Sequence, residues 1–279
     1  MIKTNYHTHT TFCDGKNTAR EMVEAAIEKN FDILGFSGHS MFPYSSDWHI
    51  QSREHQAYIN EINSLKDKFK NKIKIYAGFE ADYILGFCTP SFKNYKDFSP
   101  DYLIGSVHFV PGKGGMLEAD SSQQSFAENV KNYFGGNVKK AVQEYFYLER
   151  EMIQNSDFTI LGHPDLISCQ NTKDLKAFDD SSSWYKKELK LTAKKISSWG
   201  GCIELNTGGI FRKGLSTPYP SPYFLSLLKE LNVPVMINSD AHTTSGLDAW
   251  FDEAVQYIKK AGYTELSFYE DGSIKSQKI

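Results

Sequence analysis

Six of the eight histidines in this 279-residue chain close short apolar runs: His7 and His9, His39, His108, His163 and His242. Three carboxylates, Asp14, Glu80 and Asp240, stand in the same kind of position. Imidazole and carboxylate together are the ligand set that Zn²⁺, Mn²⁺ and Fe²⁺ favour. One ion takes only about four to six donors, so this many groups points to two or three divalent ions. A cluster of that kind serves hydrolysis, because coordinated water loses a proton near neutral pH.

Spacing supports the grouping. His7-Thr8-His9 sets two imidazoles two residues apart at a strand end, where period-two geometry turns both to one side. Asp240-Ala241-His242 repeats that spacing far along the chain. Asp14 lies in Cys13-Asp14-Gly15, a turn sequence in which aspartate is common for structural reasons alone. Glu80 ends a run in which Ile73, Ile75, Ala77 and Phe79 share one face and Tyr76, Gly78, Glu80 and Asp82 the other. The small Gly78 beneath the acid suits a crowded barrel interior. His39 follows Ser37-Gly38, His108 follows Ser106-Val107, and His163 sits in Leu161-Gly162-His163-Pro164-Asp165. A lone histidine in such a place is more often a hydrogen-bonded core residue; several in register reverse that reading. His49 and His55 fall outside the pattern and read as non-ligands, His49 with an outside chance of touching substrate.

The elements that must position these groups alternate regularly. Candidate strands cover Thr4–His7, Phe31–Ser37, Ile73–Glu80, Asp101–His108, Asp157–His163, Gly201–Asn206 and Val233–Ser239. Candidate helices cover Ala19–Lys29, Ser52–Phe69, Val138–Asn155, Ser183–Trp199, Pro222–Leu231 and Leu247–Lys260, the first with a capping box at Thr18 and Glu21. Thr264–Tyr269 could add a last strand, without ligand-type residues. Such alternation predicts parallel strands. A ligand-type residue at the end of strand after strand favours a closed barrel, whose C-terminal strand ends open onto one face, over an open sheet that would scatter them.

Bulk properties narrow the class. Hydrophobic residues make up 40% and aromatics 14%, enough for a large core, and one domain over residues 1–279 is expected. A net charge of -3 argues against a nucleic-acid binder with a basic face. The Lys-rich stretches 66–74 and 186–195 read as solvated helix faces. No signal-peptide core or membrane-length apolar run is present, and four scattered cysteines suggest reduced thiols in a cytoplasmic protein.

Taken in order, His7-Thr-His9, Ser37-Gly-His39-Ser, Gly78-Phe-Glu80-Ala-Asp82, Gly105-Ser-Val-His108, Gly162-His163-Pro-Asp165 and Ser239-Asp240-Ala-His242 resemble the successive motifs of the polymerase and histidinol phosphatase (PHP) superfamily. The segment from Glu204 to Gly214, with Arg212, is similar to one found in its stand-alone histidinol-phosphatase branch. The resemblance implies a distorted (β/α)₇ TIM-like barrel with two to three divalent ions (Zn, Mn or Fe) at the C-terminal strand ends. It implies one ion on His7, His9, Glu80 and Asp240, a second on Glu80, His108 and His163, and a third on Asp14, His39 and His242. One departure is visible: the second motif usually reads Asp-His, and here Gly38 precedes His39.

The implied activity is hydrolysis of L-histidinol phosphate, a step of histidine biosynthesis. Three ions would bring about +6 of charge against three ligand carboxylates, which favours a phosphate dianion over a neutral amide. Glu80, Asp240, His242 and Arg212 form the expected catalytic set, with Asp240 as a proton shuttle and Arg212 as a bidentate clamp on phosphate. Arg212, Asn206, Glu118 and Asp165 are the expected substrate contacts. Residues Pro111–Asn137 form a connection long enough to act as a lid. Two other readings remain open: a PHP phosphoesterase acting on nucleotides or phosphotyrosine, and a non-catalytic metal-binding scaffold. The expected partner is a small phosphomonoester, not nucleic acid or membrane, and a homo-oligomer is compatible with the sequence.

Overall fold

The computed structural model describes all 279 residues. Seven parallel strands form its centre: β1 (Thr4–Asn5), β2 (Ile33–Ser40), β3 (Lys74–Asp82), β4 (Tyr102–Ser106), and then β7 (Ile160–Leu161), β8 (Cys202–Asn206) and β9 (Val235–Asn238). The order in the sheet follows the order in the chain. A parallel bridge between Thr8 and Ala241, with His9 N–H donating to Ala241 O and Ala241 N–H to His7 O, brings the last strand back to the first. The strands therefore close into a barrel, as the ligand positions predict.

Period-two alternation divides the strands between two cores. Leu34, Phe36, Ile75, Ala77, Phe79, Leu103, Ile203 and Val235 face outward into the layer shared with the helices. Tyr6, Ile33, Tyr76, Tyr102, Ile104, Ile160, Cys202 and Met236 fill the lower interior. An antiparallel hairpin of β10 (Glu265–Glu270) and β11 (Ser273–Lys278) plugs that end with Phe268 and Tyr269, and Tyr6 donates its hydroxyl hydrogen to Tyr269 O at 2.6 Å. A Cβ on Gly78 would lie 2.7 Å from the Tyr102 ring, so the glycine is the space in which that ring sits.

The covering helices are α1 (Ala19–Glu28), α2 (His55–Phe69), α3 (Gln123–Phe134), α4 (Val138–Asn155), α5 (Ser183–Trp199), α6 (Gly208–Lys213), α7 (Pro222–Glu230) and α8 (Phe251–Lys260). The capping box on α1 is present in both directions, Thr18 accepting from Glu21 N–H and Glu21 from Thr18 N–H. Residues 111–137 are not an open lid. They hold the second half of a hairpin, β5 (Phe109–Gly112) with β6 (Gly115–Glu118), and then α3. Gly114, at φ 82°, makes the two-residue turn, and Phe126, Val130 and Phe134 seat α3 on the core.

Candidate metal centre

Because Thr8 and Ala241 pair in parallel register, the residues flanking each of them turn the same way. His7 and His9 from one end of the chain thus meet Asp240 and His242 from the other. His9 Nε2 lies 3.2 Å from Asp240 Oδ1, and the His9 and His242 rings stack at 4.1 Å. On the next strands His39 pairs directly with Glu80 across the ladder, and their side chains meet at 2.8 Å. His108 follows β4 and His163 follows β7. His242 Nε2 comes within 3.1 Å of Asp14.

Glu80 is the hub. Its Oε2 lies 2.9 Å from His7 Nε2, 3.6 Å from His9 Nε2 and 2.8 Å from His39 Nδ1. Its Oε1 lies 2.7 Å from His163 Nε2 and 3.4 Å from His108 Nε2, and accepts from Ser106 Oγ at 2.8 Å. The two oxygens thereby share out five histidines. Gly162 makes room for this: a Cβ there would lie 2.4 Å from Ser106 Oγ.

Buried polar atoms ordinarily find partners. Here His7 Nε2, His9 Nε2, His39 Nδ1, Asp14 Oδ1, Glu80 Oε2 and Asp240 Oδ1 are all buried without a hydrogen bond of acceptable geometry. They sit within overlapping groups whose ligand atoms lie within 4.8 Å of one another: His9, Asp14, His39 and His242; His7, His9 and Asp240; His7, Glu80 and His163; His39, Glu80 and His108. Orphaned nitrogen and oxygen donors converging on shared points fit several divalent cations.

The electrostatics of the donor cluster show the same imbalance. Burial acts to raise Glu80 and Asp240, yet their cationic neighbours hold both well below the usual carboxylate range. Burial, then the nearby His242 and His39, push His9 well down. Burial also acts against a charge on His7, and Glu204, Glu80 and Asp240 overturn it, raising the net value.

Two further acids lie behind the donors. Asp82 Oδ1 holds His108 Nδ1 at 2.5 Å, and Asp82 Oδ2 holds His49 Nε2 at 2.6 Å. Burial raises Asp82, but the two histidines outweigh it and bring it to about 2. His49, outside the expected ligand set, is therefore a buried anchor of the loop after β2, with its Nδ1 at 2.6 Å from Ser46 Oγ. Glu204, on the inner face of β8, holds His7 Nδ1 at 2.9 Å. The signal that could have found it is an acid at an inward position between Cys202 and Asn206 on a wholly buried strand. His55 is a core residue, bonded to Ser40 Oγ at 2.7 Å.

A cleft of about 140 Å³ opens above the donors, walled by Trp48, Glu118, Asp120, Leu166 and Arg212. Larger clefts occur elsewhere, one of about 460 Å³ beside α5 and α7, but they lack this donor chemistry. Arg212, on the short helix α6, reaches Asp240 Oδ2 at 2.5 Å and His242 Nε2 at 3.3 Å. Lys213 beside it binds Asp120 Oδ2 at 3.0 Å. Glu118 is half-buried at the rim of the cleft and makes no ion pair, although His108 and Lys213 are near enough to act on its charge. Two expected substrate contacts turn out otherwise. Asn206 is fully buried with both amide ends occupied, by Glu204 and by Gly208 N–H. Asp165 is fully buried, does not line the cleft and accepts from Ser221 N–H.

A (β/α)₇ barrel whose C-terminal strand ends gather histidines and carboxylates for several ions defines a class of metal-dependent hydrolase. Residues 5–208 match the PHP domain, and the chain belongs to that family. It is 26% identical over 278 residues to a protein named "Probable histidinol-phosphatase" of Schizosaccharomyces pombe, covering 95% of this chain and 89% of that one. It is 27% identical over 259 residues to the histidinol-phosphatase of Bacillus subtilis, covering 87% of this chain and 94% of that one. The histidinol phosphate phosphatase of Lactococcus lactis, solved with zinc, L-histidinol and phosphate, superposes with a TM-score of 0.72 at 23% identity, over 98% of this chain and 99% of that one. That likeness shows a shared fold. No helix here is long and apolar enough to cross a membrane.

Proposed function

We propose that this chain hydrolyses L-histidinol phosphate to L-histidinol and inorganic phosphate with the help of two to three divalent ions. The observation that carries the reading is the convergence of orphaned buried donors around Glu80, beneath a cleft bordered by Arg212. We assign one ion to His7, His9, Glu80 and Asp240, a second to Glu80, His108 and His163, and a third to Asp14, His39 and His242. The grouping of His9 with the third set, and of His39 with Glu80 and His108, supports a compact cluster more than it separates the sites. When bound, such ions lower the pKa of coordinated water and neutralise phosphoryl oxygens.

The chain's own residues supply the rest. Arg212 offers planar, bidentate donors to phosphate oxygens from the edge of the cleft. It also holds Asp240 Oδ2; with Oδ1 assigned to an ion, Oδ2 is the oxygen left to take a proton from the attacking water and pass it to the departing alkoxide. Trp48, stacked on His49 at 3.7 Å and perpendicular to His39 and His108, brings apolar surface to the cleft for the imidazole of the substrate. Glu118, unpaired and half-buried, suits the substrate ammonium. We place the enzyme in the cytoplasm on its four unpaired cysteines. The test is phosphate release from L-histidinol phosphate beside nucleoside monophosphates and phosphotyrosine, after loading with Zn²⁺, Mn²⁺ or Fe²⁺. A strong preference for histidinol phosphate is expected; equal slow turnover of all three overturns the substrate, and no turnover with metal bound overturns the activity.

A further inference from the structure

Four hydrogen-bond donors surround the buried carboxylate of Glu204, and their orientations are not free. Tyr6 N–H donates to Asn238 Oδ1 at 2.8 Å, and Gly208 N–H donates to Asn206 Oδ1 at 2.9 Å. A backbone N–H can only donate, so each asparagine must turn its NH₂ the other way. Both NH₂ groups then reach Glu204, Asn206 at 2.7 Å and Asn238 at 2.8 Å. The backbone N–H of His163 adds a third donor at 2.8 Å. With those positions taken, the fourth partner, His7 Nδ1 at 2.9 Å, meets an oxygen that can only accept. His7 therefore carries its proton on Nδ1, and its Nε2 is left facing Glu80 Oε2 at 2.9 Å and Asp240 Oδ1 at 3.7 Å.

We infer that Glu204 is a positioning residue of the metal centre: it fixes the tautomer and ring plane of His7 so that the Nε2 lone pair is presented to an ion, and through His163 N–H it ties a second ligand to the same anchor. A carboxylate is required. Its four lone-pair sites match the four donors, whereas a glutamine would turn its own NH₂ against two of them. Carboxylates behind ligating histidines commonly set metal affinity by about 10- to 100-fold. The inference rests on the metal-centre reading and is independent of the substrate.

The experiment measures binding of Zn²⁺ to the stripped wild-type protein and to Glu204→Gln and Glu204→Asp, by calorimetry and by metal content after dialysis. Glu204→Gln is expected to lose the tightest site by at least about 10-fold, with Glu204→Asp intermediate. Unchanged affinity in Glu204→Gln overturns the inference, and failure of the wild type to bind metal overturns the metal-centre reading instead. Long-range ¹H–¹⁵N spectra of zinc-loaded wild type give a readout that survives misfolding of the variants. The His7 proton is expected on Nδ1; a proton on Nε2 overturns the inference.

Discussion

Replacing Gly162 by alanine tests how tightly the floor under Glu80 is built. The new Cβ would lie 2.4 Å from Ser106 Oγ and 2.8 Å from Ile104 Cγ2, where carbon contacts ordinarily settle at about 3.5–4.0 Å. Overpacking of this kind costs about 1–3 kcal/mol. If Ser106 swings away, its 2.8 Å bond to Glu80 Oε1 is lost, and a hydrogen bond to a charged group contributes about 1.5–3 kcal/mol. Together these give about 2.5–6 kcal/mol, a fall in Tm on the order of 10 °C. Ser106→Ala alone should cost only the hydrogen bond. In the double variant the main clash has gone with the hydroxyl, so it should be less destabilised than the sum of the singles by about 2–3 kcal/mol. Urea unfolding of all four proteins in chelator closes the cycle. Additivity within about 0.5 kcal/mol would refute the claim that Gly162 exists to seat Ser106 against Glu80.

Asp82→Asn keeps a hydrogen-bond acceptor for His108 but removes the charge behind it, so Zn²⁺ affinity should fall about 10-fold or more; equal affinity by calorimetry would count against the Asp82–His108 pairing. Arg212→Ala should lower kcat/KM for phosphomonoesters by about 10²–10³-fold, with Arg212→Lys only partly restoring it; an unchanged rate would remove Arg212 from phosphate binding. Burial, and next the neighbouring Asp165, push Glu149 up to about 8. The folded protein therefore keeps a proton there that the unfolded chain releases above about pH 4.3. That raised value favours folding below the unfolded pKa, and the advantage is lost as pH rises through about 8. Tm recorded from pH 5 to 9 should accordingly decline less in Glu149→Gln than in wild type, and parallel profiles would sink this account.

The barrel and the gathering of imidazoles and acids were legible because both follow from local rules. A ligand residue at a strand end and a period-two pattern beneath it are properties of short segments, as in Ile75-Tyr76-Ala77-Gly78-Phe79-Glu80. Two strands proved shorter at the site, β1 ending at Asn5 and β7 at Leu161, where the ligand-bearing residues leave the ladder. By contrast, β2 and β3 run on to Ser40 and Asp82, with His39 and Glu80 paired within it. His163, at φ 20°, and Asp240, at φ 52°, depart from strand geometry. The hairpin and α3 within residues 111–137 had signals, a Lys113-Gly114 turn and Phe126, Val130 and Phe134 four apart, that the length of the connection overshadowed. Strand β11 follows an Asp271-Gly272 turn but is nearly all polar, so hydrophobic alternation could not show it. The work of Glu204, Asp82 and His49 was illegible for a different reason. Glu204 shows locally only as an acid at an inward position on its strand; that it meets His7 and Asn238, and that Asp82 meets His108 and His49, depends on segments far apart in the chain.

The single Thr8–Ala241 bridge that closes the barrel also sets a schedule. Tyr6 and Asn238, which bond beneath the site, are 232 residues apart. A growing chain on the ribosome thus makes His7 and His9 long before it has an Asp240 or His242 to set beside them. The two ions assigned to Asp240 or His242 consequently wait for the closing bridge, whereas the donors Glu80, His108 and His163 are all made before it. A chain cut short before residue 240 keeps most of its strands and yet lacks the pair that completes the cluster.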